Sequence, residues 1–282
     1  IFSKMNVQFI QNSTDLKQIS ENETNFIIAS STKTHLHYLN MLIGSDKRIL
    51  IEKPMGGDDK LLIPVLLHAI KVGCKIAPGF LERYSLASFL LDEFVKSMKI
   101  NKILITRESA GWPRDIDVVL DLMIHDLDLL IFKGFPLSVK KKPVLLSADN
   151  LIRSIKVFLS SRAYNSEEFE IELIASHKGQ KFKKPVRIMS LLFSDGSFVE
   201  IDCLRNCCTG TSEILEKISN KLRSNSTLEK NGSRLHVDWG DKILAEQQSV
   251  FNSGFNFSSA TIELQRNRDL FSFMQKLREY VN

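Results

Sequence analysis

Between Arg48 and Pro54 the chain reads Arg-Ile-Leu-Ile-Glu-Lys-Pro, an apolar run of the buried-strand type that ends by delivering Glu52, Lys53 and Pro54. Further along it reads Asp121-Leu-Met-Ile-His125, with Asp121 and His125 at i and i+4. That spacing puts both on one helical face, within reach of one ligand. A lysine ammonium lowers the cost of negative charge developing on an oxygen. A histidine titrating near neutrality can take a hydroxyl proton. These are the groups that proton-coupled chemistry on a sugar hydroxyl requires.

Each has a plainer reading. A surface turn with an ordinary ion pair explains a lone Glu-Lys-Pro equally well. Asp121 could serve a cap or a salt bridge, and His125 could be a satisfied core histidine. The neighbours Val118, Val119, Leu120, Leu122, Ile124, Leu127, Leu129 and Leu130 are apolar almost all round. A charge inside so buried a helix needs a partner or a task.

The elements that must position these residues follow from pattern. Val7–Ile10 and Phe26–Ala29 read as strands, as do Ile49–Ile51 and Lys75–Pro78. Asp15–Glu23, His35–Ile43 and Lys60–Val72 read as helices, the last stopped by Gly73. Strands alternating with helices imply a parallel α/β sheet. Polar residues just after a strand then lie at the carboxyl edge, where open sheets bind ligands. Lys53 is so placed. After Gly79 the texture changes: helices are predicted at Tyr84–Met98, Asp121–Phe132 and Thr261–Tyr280. Strands are predicted at Lys102–Arg107, Ile155–Ser160, Glu168–Ala175, Val186–Phe193 and Phe198–Cys203, with Asp195-Gly196 as a hairpin turn. The expected architecture is an incomplete Rossmann-type parallel sheet over residues 1–79, followed over 80–282 by a larger α+β domain with a mostly antiparallel sheet.

At 282 residues, 43% hydrophobic and 25% charged, the chain has ample material for two cores. Its formal charge of +5 is modest, and no basic helix is interleaved with aromatics, which argues against nucleic acid. Lys140–Lys142 and Lys178–Lys184 are local basic clusters, read either as solvated loops or as attraction for a phosphorylated substrate. Cys74, Cys203, Cys207 and Cys208 have neither a disulfide framework nor zinc-site spacing, so no metal is expected. Without a signal segment or a spanning apolar run, the expected location is the cytoplasm.

Four segments together resemble the Gfo/Idh/MocA family of nicotinamide-dependent sugar oxidoreductases. They are Ala29-Ser30-Ser31-Thr-Lys-Thr-His35, Glu52-Lys53-Pro54, Gly79-Phe80-Leu-Glu-Arg83-Tyr84 and Asp115-Ile-Asp-Val-Val-Leu-Asp121-Leu-Met-Ile-His125-Asp-Leu-Asp128. Departures are Ser31 where proline is usual, Ser85-Leu86 for Asn-Pro, and Asp117 in a glycine position. The resemblance implies NAD or NADP as cofactor, with Ser30, Ser31, His35, Glu52, Lys53 and Pro54 around it and a cis peptide before the proline. A helix starting near His35 would offer N–H groups to ribose or phosphate oxygens; capping by Thr32 or Thr34 is the plainer alternative. His125 is then the general base, Lys53 stabilises alkoxide charge, and Asp121 orients the sugar or tunes His125.

The wording from Arg114 to Asp128 resembles most the branch that oxidises the 3-hydroxyl of UDP-N-acetylglucosamine, whose 3-keto product leads to the diamino sugar of some bacterial lipid A. Arg83 and Arg114 are the candidates for its diphosphate, with structural ion pairs as the alternative. A small-molecule sugar partner is expected, with no membrane, and a homo-oligomer through the second domain's sheet. No Gly-x-Gly-x-x-Gly occurs in the chain, and the first residue is Ile1. The family opens with strand, glycine-rich turn, helix and strand ahead of the segment at Val7. The chain is therefore expected to be a truncated version that binds no cofactor measurably, the activity belonging to the complete protein. A catalytically silent binding or regulatory protein on the same fold is the rival expectation; Lys53, Asp121 and His125 together argue against it.

Overall fold

The computed structural model describes residues 10, 13–56, 59–110, 116–162, 167–178, 184–229, 232–251 and 257–281. The chain divides into two compact units, residues 1–81 with 241–271 and residues 82–240 with 272–282.

The first unit opens with α1 (Ser13–Asn22), β1 (Asn25–Ile28), α2 (Thr32–Leu42), β2 (Arg48–Glu52), α3 (Asp59–Val72) and β3 (Lys75–Gly79). The strands form a parallel sheet in the order β1-β2-β3. Ile49, Leu50 and Ile51 are all buried, as a parallel strand covered on both faces demands. Gly73, at φ +81°, ends α3: its N–H reaches the Ile70 carbonyl and the Cys74 N–H reaches Ala69. This is the paired stop that a left-handed glycine makes possible. Of the strand expected over Val7–Ile10, residues 7–9 lie outside the described residues, and Ile10 is not in a strand. Among the described residues β1 is an edge, and Ile27 on it is 39% exposed.

A 3-10 turn (Leu81–Tyr84) leads to α4 (Leu86–Ser97) and β4 (Ile100–Ala110). Ser85 caps α4 by accepting the Ser88 N–H at 3.1 Å. The helix expected from Tyr84 therefore starts at Leu86. A π turn (Val119–Met123) then runs into α5 (Ile124–Phe132). Next come β5 (Ser138–Ala148), β6 (Ile152–Arg162), β7 (Glu168–Lys178), β8 (Val186–Phe193), β9 (Phe198–Asp202) and β10 (Cys207–Gly210). The chain closes with α6 (Ser212–Leu222), β11 (Ser226–Leu228), β12 (Arg234–Val237), α7 (Lys242–Phe251) and α8 (Phe257–Val281).

The nine strands from β4 to β12 make one sheet, ordered β11-β12-β10-β9-β8-β4-β7-β6-β5. Every pair is antiparallel except β4 with β7. The fold is thus a Rossmann-like parallel part followed by a larger α+β part. Alternate residues of the central strands, among them Ile103, Ile105, Val157, Leu159, Ile171, Leu173, Met189 and Leu191, form the core face. The π turn lies against β4 and β7.

Two placements differ from the sequence reading. Lys140–Lys142 are part of β5, not of a loop; Lys140 pairs with Glu170 at 2.6 Å and Lys141 lies over Phe158. Residues 241–271, placed by sequence with the second domain, cluster with the first unit. The reason is apolar: Val250 of α7 packs with Leu50 and Ala77 of the parallel sheet, and Arg48 Nη1 donates to the Phe251 carbonyl at 2.5 Å.

Candidate active site

In the first unit, one side chain lies between the segments that follow β1 and β2. His35 is 1% exposed; its Nδ1 lies 2.9 Å from the Pro54 carbonyl and its Nε2 2.9 Å from the Ser30 carbonyl. Both partners are carbonyl oxygens, which only accept, so a neutral ring donates to one of the two segments and packs against the other. Ser30, His35 and Pro54 are thereby brought together. The Lys53–Pro54 peptide is cis. Lys53 is partly exposed and its N–H reaches Glu52 Oε2 at 3.3 Å. Glu52 is exposed and pairs with Gly79 across the sheet, so the start of the Gly79–Tyr84 segment runs beside the Glu-Lys-Pro segment.

α2 begins at Thr32, three residues before the point expected from the sequence, with Ser31 as N-cap. Neither Thr32 nor Thr34 is the cap. The Ser31 side chain makes no capping bond, and the Thr34 hydroxyl turns back toward Ser30 Oγ (2.8 Å) and the Ser31 carbonyl (2.9 Å). An α2 N-terminus without a side-chain cap fits an anionic or hydroxyl-rich ligand group.

In the second unit, Asp121 sits in the π turn and His125 in the first turn of α5. The sequence reading put both in one α-helix. An i→i+5 turn widens the spiral locally, and such turns recur at functional sites. Asp121 is 3% exposed and accepts a hydrogen bond from His177 Nε2, of β7, at 3.1 Å. His125 is partly buried.

Its two neighbours on alternate residues are both buried carboxylates held by arginines. Asp126 receives Nε (3.0 Å) and Nη2 (2.7 Å) of Arg107. Asp128 receives Nε (2.8 Å) and Nη2 (2.6 Å) of Arg83. Glu82 joins the first pair, 3.3 Å from Arg107 Nη1 and 3.3 Å from Arg187 Nη1. Burial opposes the Arg107 charge, but Asp126 and Glu82 outweigh it and hold the guanidinium firmly protonated, above its ordinary value. Asp117 accepts the Ile152 N–H at 2.8 Å and pairs with Arg278 at 2.9 Å. The segment entering the π turn is pinned there.

Arg83, a candidate for the diphosphate with a structural ion pair as the alternative, pairs with Asp128, with its guanidinium 4.7 Å from the Phe132 ring centre. Arg114 lies outside the described residues. His177 and Arg107 were missed. A signal for His177 exists: Phe169, Ile171, Leu173, Ala175 and His177 alternate along β7, so an imidazole stands where the core pattern calls for a fifth apolar residue. Ending the strand at Ala175 hid it.

No family model matches the sequence, and no curated protein matches it. Solved structures do. A UDP-N-acetylglucosamine 3-dehydrogenase from Acidithiobacillus ferrooxidans superposes with a TM-score of 0.71 at 19% identity, over 99% of this chain and 84% of that one. A dehydrogenase (MviM) from Clostridium difficile gives 0.66 at 14%, over 98% and 85%. A myo-inositol 2-dehydrogenase from Lactobacillus plantarum gives 0.62 at 13%, over 96% and 81%. Identities this low speak to architecture, and in architecture the agreement runs nearly end to end: the chain shares the fold of these solved dehydrogenases.

Proposed function

We propose that the protein is a nicotinamide-dependent oxidoreductase acting on a secondary hydroxyl of a sugar, with the 3-hydroxyl of UDP-N-acetylglucosamine as its substrate. The observation that supports this most is the buried frame around His125. Two Arg–Asp pairs, at Asp126 and Asp128, flank a histidine one turn from a buried aspartate, on a fold similar to that of a UDP-N-acetylglucosamine 3-dehydrogenase. A core histidine needs no such frame.

NAD or NADP, when bound, supplies the hydride acceptor. Ser30, Ser31, His35, Glu52, Lys53 and Pro54, at the carboxyl edge of the parallel sheet, fit its nicotinamide and ribose end. No glycine-rich pyrophosphate turn is present in this sequence. Residues 1–81 with 241–271 form part of the cofactor domain, and 82–240 with 272–282 form the substrate and oligomerisation domain. His125 takes the hydroxyl proton, the Lys53 ammonium stabilises alkoxide charge, and Asp121 orients the sugar.

The test is to incubate the complete gene product with NAD⁺ or NADP⁺ and a panel of UDP-N-acetylglucosamine, free N-acetylglucosamine and myo-inositol. The nucleotide sugar should be turned over best. A free sugar or inositol turned over far better would remove the substrate assignment; no turnover of any member would favour a silent binding protein on the same fold.

A further inference from the structure

The side chain that the proposed chemistry leaves unused is His177. It is polar, in the core face of β7, with its side chain 1% exposed. Its Nε2 lies 3.1 Å from Asp121 Oδ2. A carboxylate only accepts, so the N–H sits on Nε2. Nδ1 is buried and has no hydrogen-bond partner among the described residues. A buried ring nitrogen that no protein group satisfies is costly, and a leucine there would continue the apolar alternation of Phe169, Ile171, Leu173 and Ala175 without that cost. Packing alone does not account for the histidine. The Asp121 carboxylate does.

The backbone supports the same reading. His177 stands opposite Ser109 of β4 in the one parallel pairing of the large sheet. The π turn bearing Asp121 packs on those two strands. A rigid strand therefore presents the N–H, and the widened turn brings the carboxylate to it.

We propose that His177 is the positioning residue for Asp121. Its Nε2–H fixes one carboxylate oxygen, so that the other keeps a single direction toward the substrate. This rests on the dehydrogenase reading for its catalytic consequence, but not for the pairing itself.

Two experiments separate these. Long-range ¹H–¹⁵N imidazole spectra of the 282-residue chain should show His177 protonated on Nε2, with its shifts moved by Asp121→Asn. An Nδ1-protonated His177, or one indifferent to Asp121→Asn, would overturn the pairing whether or not the protein turns over a sugar. In the complete gene product, His177→Leu should lower kcat about 10–100-fold, the usual effect of removing a residue that orients a catalytic group, with the cofactor KM unchanged. His177→Gln keeps an N–H near the Nε2 position and should recover most of that loss. Thermal melts control for folding. Equal kcat in the Leu and Gln variants at matched melting temperatures would overturn the positioning role.

Discussion

Removing the Lys53 ammonium or the His125 imidazole should leave the fold intact, because both are at least partly exposed and neither fills the core. It should remove chemistry. We expect Lys53→Ala and His125→Ala in the complete gene product each to lower turnover by roughly 10²–10⁴-fold, the range for loss of a proton-transfer group. Steady-state kinetics beside a far-UV spectrum checks this, and near-normal turnover would return either residue to an ordinary surface or core role. Lys53, Asp121 and His125 are legible in sequence because each sits in a short contiguous word whose neighbours fix its element. Their supports are not. Asp121 meets His177 across a separation of 56 residues, and Arg107 meets Asp126 across 19 through strand-to-helix packing. Local pattern carries no record of which strand will lie under which turn.

Element types were largely readable, since buried parallel strands and amphipathic helices leave distinct periods. The misreadings have physical causes. β5 carries Lys140–Lys142 and reads as a loop, yet it is an edge strand, where lysines are the usual guard against unwanted pairing. β10 is only four residues long and contains Gly210. A Cβ there would lie 2.5 Å from the Phe198 carbonyl oxygen and 3.1 Å from Val199 Cα, both backbone atoms of the neighbouring strand. Gly210→Ala should therefore destabilise by about 1–3 kcal/mol, read from urea midpoints, as overpacking does; an unchanged midpoint would mean that β9 and β10 move apart freely.

On the sheet face opposite Ile171 and Leu173, Glu172 of β7 joins Lys102 of β4 (2.8 Å) and Lys156 of β6 (2.5 Å). Burial raises its carboxyl, but the two lysines outweigh this and hold it below the ordinary glutamate range. Stability from such a group is complete above the unfolded value of about 4.3 and is lost as pH falls through the lower folded value. The difference in urea midpoint between wild type and Glu172→Gln should shrink as pH drops from 7 to 3. A constant difference would show that the strut contributes through packing alone.

For the molecule as a whole, the discontinuous first unit makes the strongest demand. Leu50 and Ala77 are covered by Val250, far away in the chain, and Arg48 is anchored at Phe251. Residues 1–81 alone should show no cooperative thermal transition by circular dichroism. The same residues joined to 241–271 through a flexible linker should regain one. Cooperative melting of 1–81 alone would mean that the parallel sheet needs no cover from α7.

The parallel pairing of β4 with β7 in the large sheet also governs the order of events during folding. β5, β6 and β7 follow one another as antiparallel neighbours, and β8 to β10 do the same, so both groups can zip from short turns. β4 precedes them all, yet lies between β7 and β8. Seating it closes a loop that contains the π turn and α5, and long closures are slow because chain entropy is lost before any contact is made. Refolding chains should thus recover strand signal first, and the Asp121–His177 contact only when β4 docks.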